Sequence, residues 1–202
     1  MRRLLFGSVV LAIALACSDS IGPRSAPVPA SQLHIVVQAV AAPPLLTDSV
    51  SFYALLGQDR EVRMYYQGAA PGSAGDELLR FKVPGDGLFL RPDGTAFQPG
   101  DSIRIVVKVL DPKRFLLDFQ PTGLQFSPDH PADLTLQYAH SDHDYNGDGT
   151  VDSADARIHA ELDIWQRHPP DTLWYRLGAA NYESYEELDV KVLHFTDHAI
   201  AW

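Results

Sequence analysis

The 202-residue chain is poor in the groups that usually staple or charge a small exported protein. It has one cysteine, Cys17, so no intramolecular disulfide can form. Lys and Arg number 16 against 26 Asp and Glu, a formal net charge of −10. Such a balance repels phosphate backbones and anionic lipid heads, so nucleic acid is not an expected partner. The sequence lacks Gly-x-Ser-x-Gly, His-Glu-x-x-His and any phosphate-cradling Gly loop. It also lacks an internal repeat at solenoid or propeller spacing. Its one long apolar run, Leu4 to Ala16, is thirteen residues, too short to span a bilayer comfortably.

That run follows the basic "MRR" and precedes Cys17, the pattern of a signal peptide over residues 1–16. "ALAC" resembles the lipobox of bacterial lipoproteins, in which the cysteine is acylated and becomes the mature N-terminus. Ala14 stands where Leu is commonest in that pattern, and Leu15 where a small residue is. The alternative is an ordinary secretory signal ending near a chance cysteine. Removal of residues 1–16 takes away Arg2 and Arg3 and no acid, bringing the net charge from −10 to −12. The expected place is the bacterial cell envelope, held to a membrane through the lipid on Cys17. Ser18, where an Asp would favour the inner membrane, leans toward the outer one. Residues 17–32, rich in Ser, Pro and small residues, read as a tether.

From Leu33 onward the pattern is β. "LHIVVQAV", "SVSFYALL", "EVRMYYQ", "ELLRFKVP" and "GLFLRPDGTAF" succeed one another between turn signals. Within the last, Pro92-Asp93-Gly94 predicts a tight turn, because Pro fixes the first corner and Gly accepts positive φ. "DSIRIVVKVL" places Ile103, Ile105, Val107 and Val109 on one face and Arg104 and Lys108 on the other. "ADLTLQYA", "LDIWQRHPPDTLWYRL", "EELDVKVLHF" and "HAIAW" continue the theme. The expected fold is a mainly β, antiparallel β-sandwich over residues 33–202. Trp165 and Trp174 read as core packing more readily than as a sugar-stacking platform.

"FQPTGLQFSPDHPADLTLQY" adds a likeness. Phe119, Pro121, Gly123, Leu124, Phe126, Pro131, Leu134 and Tyr138 resemble positions of the ZU5-like β-sandwich domains of bacterial surface lipoproteins and some eukaryotic adaptor proteins. The likeness continues through Ile164-Trp165, Trp174, Leu177 and His194-Phe195-Thr196, covering roughly Leu78 to Trp202. It implies mainly an interaction or scaffolding module with no cofactor, with a protein or surface-polymer partner left unnamed. Some relatives cut themselves at His-Phe-Ser. That implies, as an alternative function, a self-processing or hydrolytic domain using His194 and Thr196.

One stretch stands apart. "DYNGDGTVDSAD", Asp144 to Asp155, packs four Asp, one Asn and two Gly into twelve residues. Calcium takes six to eight oxygens, and a twelve-residue loop supplies them from positions 1, 3, 5, 7, 9 and 12. Those positions are Asp144, Asn146, Asp148, Thr150 (through its carbonyl), Asp152 and Asp155, with Gly149 at the sharp turn and Val151 at the apolar eighth position. Asp155 replaces the usual bidentate Glu, as in dockerin-type loops, which this stretch resembles. Starting the register at Asp142 instead fails at position 8, which becomes Gly149. The acids could also form only a solvated Asx-rich turn. "SADARIHAEL" is expected to follow as a short helix. His140 and His143, with Asp142, read as surface residues rather than a zinc site.

The anchor gives the first prediction. The mature protein should begin at Cys17 and partition with membranes, and Cys17→Ala should release it or leave it unprocessed. Intact-mass and detergent phase-partition measurements check this. An N-terminus well downstream of Cys17 without lipid mass would contradict it.

Overall fold

The computed structural model describes residues 26–167, 170 and 172–202. Cys17, the signal peptide and the first part of the tether lie outside the described residues. Among the described residues there are fourteen strands, of which β1 (Val28–Pro29), β2 (Ser49–Leu55), β3 (Arg60–Gln67), β4 (Ala74–Val83), β5 (Leu88–Leu90), β6 (Ser102–Asp111) and β7 (Leu116–Gln120) form the first half. β8 (Gln125–Phe126), β9 (Ala132–Gln137), β10 (Asp163–Arg167), β11 (Leu173–Arg176), β12 (Ala180–Tyr182), β13 (Glu187–Val192) and β14 (Asp197–Ala201) form the second, and the α-helix α1 (Ser153–Glu161) lies between β9 and β10.

Seven strands make one sheet in the order β1-β11-β10-β14-β7-β6-β2, five make a second in the order β12-β13-β9-β4-β3, and β5 and β8 pair as a short ribbon. Every pairing is antiparallel. Among the described residues the protein is mainly β with one short α-helix, consistent with the expected sandwich. Alternation decides which side each strand buries. Ile105, Val107 and Val109 point inward from β6, as their spacing requires, and Leu188 and Val192 do so from β13. The Pro92-Asp93-Gly94 turn forms as predicted: Gly94 adopts φ +81° and its N–H donates to the Arg91 carbonyl.

Between the sheets lies an aromatic quartet. Phe81 of β4 meets Phe119 of β7, Phe126 of β8 and Phe195 at centroid distances of 5.4, 6.1 and 5.4 Å. Phe195 closes the set against Phe119 and Phe126 at 5.4 and 5.0 Å. Tilted and edge-on rings of this kind add to what their burial alone contributes.

Two expectations change. "LHIVVQAV" is not one strand. It hops between partners: Val36 N–H donates to the Ile200 carbonyl, Gln38 N–H to Lys113 and Ala39 N–H to His140. No neighbouring strand runs alongside it far enough to hold a ladder. The tether also ends earlier than residue 32, because Val28 and Pro29 pair with Trp174 and Leu173 at the sheet edge. The reason is apolar. Trp165 and Trp174, only 6% and 4% exposed, form a second cluster on the outer face of the larger sheet, and Val28, Leu33 and Ile35 cover it. Both tryptophans are packing residues, and Trp165 Nε1 donates to the Ala201 carbonyl at 3.1 Å.

The quartet sets the second prediction. Phe81→Ala should cost about 3–5 kcal/mol by chemical denaturation, because it removes a whole ring from a closed interior. Tyr53→Ala, on an exposed edge-strand position, should stay within about 0.5 kcal/mol. Equal losses for the two would contradict this packing.

Candidate metal centre

The acidic loop joins β9 to β10, which belong to different sheets. The connection therefore has to cross from one sheet to the other. Tyr138 anchors its start: the side chain is buried, its N–H donates to the Glu186 carbonyl at 2.8 Å, and its hydroxyl donates to Asn181 Oδ1 at 2.7 Å. Burial holds this phenol above its ordinary pKa, with Tyr145, Glu186 and Glu183 pushing the same way and the Asn181 bond opposing.

Each loop carboxylate gathers backbone amides. Asp144 Oδ1 accepts from the N–H groups of Gly147 (2.9 Å) and Asp148 (3.1 Å), and its Oδ2 accepts from Gly149 (2.8 Å). Asn146 Oδ1 accepts from Asp148 N–H at 2.8 Å. Asp148 Oδ1 accepts from the N–H and hydroxyl of Thr150 at 2.9 and 2.7 Å. Gly147 and Gly149 stand at φ +73° and +90°, left-handed conformations that a side chain would strain. The loop coils tightly around Asp144, the first position of the register read from the sequence. Asp142 stays outside the coil and accepts only from Asp144 N–H, at 3.2 Å.

The end of the loop is the start of α1. Asp152 is the N-cap and accepts from Ala154 N–H at 2.7 Å, while Asp155, three residues on, accepts from Asp152 N–H at 3.0 Å. This is a capping box built from two Asp. Asp155 also accepts from Asn146 N–H at 3.1 Å, nine residues back. One carboxylate, 2% exposed, thus ties the third and ninth loop positions to the helix. The Asp152 N–H, then those of Asn146 and Tyr145, hold the Asp155 carboxyl below its ordinary pKa against the opposing effects of its burial and of Asp148. Asp148 is lowered chiefly by the Thr150 hydroxyl and N–H.

All six sequence-predicted positions, Asp144, Asn146, Asp148, Thr150, Asp152 and Asp155, lie in this one coil. Their donor set, carboxylates with an amide and a carbonyl, is that of a hard cation such as calcium. Among the described residues, no group of three His, Cys, Asp or Glu side chains is gathered to hold an ion. The carboxylates instead face backbone N–H groups, and Asp152 is turned to the helix. The apolar eighth position, Val151, is 69% exposed.

The histidines separate rather than converge. His140 Nε2 meets Asp76 at 2.9 Å and packs edge-on against Tyr66, whereas His143 Nε2 meets Glu186 at 2.9 Å. Sequence reasoning did not find the stack of His143, Tyr145 and His159, whose centroids lie 5.8 to 6.4 Å apart. His159 joins the helix to the sandwich, with its Nε2 3.0 Å from the Tyr138 hydroxyl. The only signal in the sequence was the spacing of His159 four residues after Asp155, which puts both on one helix face. At the third candidate site, Phe195 is in the quartet and the Thr196 hydroxyl donates to the Arg167 carbonyl. The His194 carbonyl accepts from Gln166 Nε2 at 2.6 Å.

No family model, no curated protein and no solved structure matches the chain.

The lowered carboxyls give a pH prediction. Their contribution is complete above the ordinary Asp range, about pH 4, and is lost as pH falls through the lowered values. In chelator, the stability gap between the native protein and Asp155→Asn should therefore be wide at pH 6 and narrow toward pH 3. Urea melts at several pH values measure it, and a constant gap would contradict the assignment.

Proposed function

We propose that the protein is a secreted, lipid-anchored, calcium-binding β-sandwich module with a structural or protein-interaction role at the bacterial cell envelope. One observation carries the calcium reading. Asp144 collects the amides of Gly147, Asp148 and Gly149 while Asp155 collects those of Asn146 and Asp152, and these two residues are the first and last positions of the register read from the sequence, which supports that reading. The anchor reading rests on "ALAC" and the apolar run before it. The ZU5-like reading rests on the quoted residues alone.

Asp144, Asn146, Asp148, Asp152 and Asp155 and the Thr150 carbonyl would hold the ion. Calcium neutralises crowded carboxylates and links the loop to the helix, a structural task. Extracellular modules of this kind bind with Kd on the order of 10⁻⁴–10⁻³ M. Self-processing at His194 and Thr196 would require the Thr196 hydroxyl to leave the Arg167 carbonyl. It would also remove β14, which lies between β10 and β7 in the larger sheet.

Calorimetry with millimolar calcium is the test. Binding should appear, and the melting temperature should rise, by about 2.7 kcal/mol of stabilisation at a hundredfold excess over Kd. Asp144→Ala and Asp148→Ala should abolish both effects, and Asp142→Ala should leave most of them. Absence of binding, or a damaging Asp142→Ala, would contradict the reading.

A further inference from the structure

A cavity lies away from the loop, on the outer face of the five-stranded sheet. It is an open groove of about 640 Å³, within the range of small-ligand sites. Antiparallel register lines up its floor. Arg80 of β4 sits opposite Thr135 of β9, which sits opposite Asp189 of β13, which sits opposite Ala180 of β12. Tyr182, two residues beyond Ala180 on the same strand and 47% exposed, also lines the groove.

The charges lining the groove cancel. Glu61, Asp133 and Asp189 face Arg80, Lys82 and Lys191, on a chain whose overall balance is −10. Most are taken up by one another or by rim residues: Lys191 binds Asp133, Lys82 lies 3.4 Å from Asp59, and Glu61 binds Arg63 at 2.7 Å. Two are not. The Arg80 guanidinium reaches the Thr135 hydroxyl at 3.4 Å and the carboxylates of Glu77 and Glu187 only at 3.8 and 3.9 Å. Asp189 Oδ1 is shielded from solvent and takes no hydrogen bond among the described residues. A donor and an acceptor with spare capacity thus flank a hydroxyl that does both, across two strand steps or about 10 Å.

We propose that this groove binds a neutral pyranose glycan. Sugar hydroxyls both donate and accept, so one ring can accept hydrogen bonds from Arg80, donate one to the Asp189 carboxylate and exchange with Thr135. The apolar C–H face of a neighbouring ring covers Tyr182. A formally neutral lining selects neither anions nor cations. The groove shares no residue with the calcium loop, so its test stands apart from calcium binding.

Native gels of the full chain in detergent, cast with dextran, laminarin, galactomannan or xyloglucan, provide the test. The acidic protein should be retarded by at least one of these neutral polymers. Tyr182→Ala and Asp189→Ala should each weaken retardation about tenfold, the loss of one stacked or hydrogen-bonded group at 1.4 kcal/mol per tenfold. Tyr185→Ala, exposed and outside the groove, should change nothing. Free migration in all four gels overturns the proposal, as does unchanged retardation of Tyr182→Ala or retardation only by an anionic polymer such as alginate. Tyr182 is exposed on a sheet-edge strand, so its variant keeps the fold and decides the matter if Asp189→Ala does not.

Discussion

The Asp155 carboxylate is the joint on which the inserted segment depends. A buried carboxylate is costly to hold unless it is fully hydrogen-bonded. Here backbone N–H groups from the third and ninth loop positions converge on it, and its own position in the first turn places it at the positive end of α1. Neither the coil nor the helix is long enough to stand alone, since nine-residue helices are marginal in water. Shared carboxylate bonding makes them one unit. Ile158 and Tyr145 then pack that unit on the main core, and the Tyr138–His159–Asn181 bonds pin it at the side.

The sandwich below is built so that this unit can be carried. The phenylalanine quartet fills the space between the sheets, and the second cluster around Trp165 and Trp174 draws the N-terminal segment onto the larger sheet. That arrangement covers part of the larger sheet's outer face. The outer face of the smaller sheet keeps its charges, its groove and its exposed tyrosine. One side of the molecule thus holds the N-terminal segment, and the other carries the open groove.

Local signals made the strands and the loop readable. Ile103 to Val109 alternate cleanly, Pro92-Asp93-Gly94 specifies its own turn, and the sequence after the acidic loop announces the start of the helix at Ser153. What stayed hidden depends on pairing between distant segments. Nothing local places Arg80, Thr135 and Asp189 in one row, because that row follows from the registers of β4, β9 and β13. "LHIVVQAV" has strand composition but no strand beside it, so its apolar run misled. Val28 and Pro29 look like tether, yet the two tryptophans they cover are more than a hundred residues away.

Amide hydrogen exchange across residues 140–165, titrated with calcium, bears most directly on the central claim that the loop and α1 are one calcium-organised unit. The account predicts that the Asn146 and Asp152 amides and those of α1 slow together by about a hundredfold at a hundredfold excess over Kd, while amides of β6 and β9 keep their rates. Exchange in the loop and helix that is unchanged by calcium, or that slows in the loop while α1 stays as it was, would contradict it.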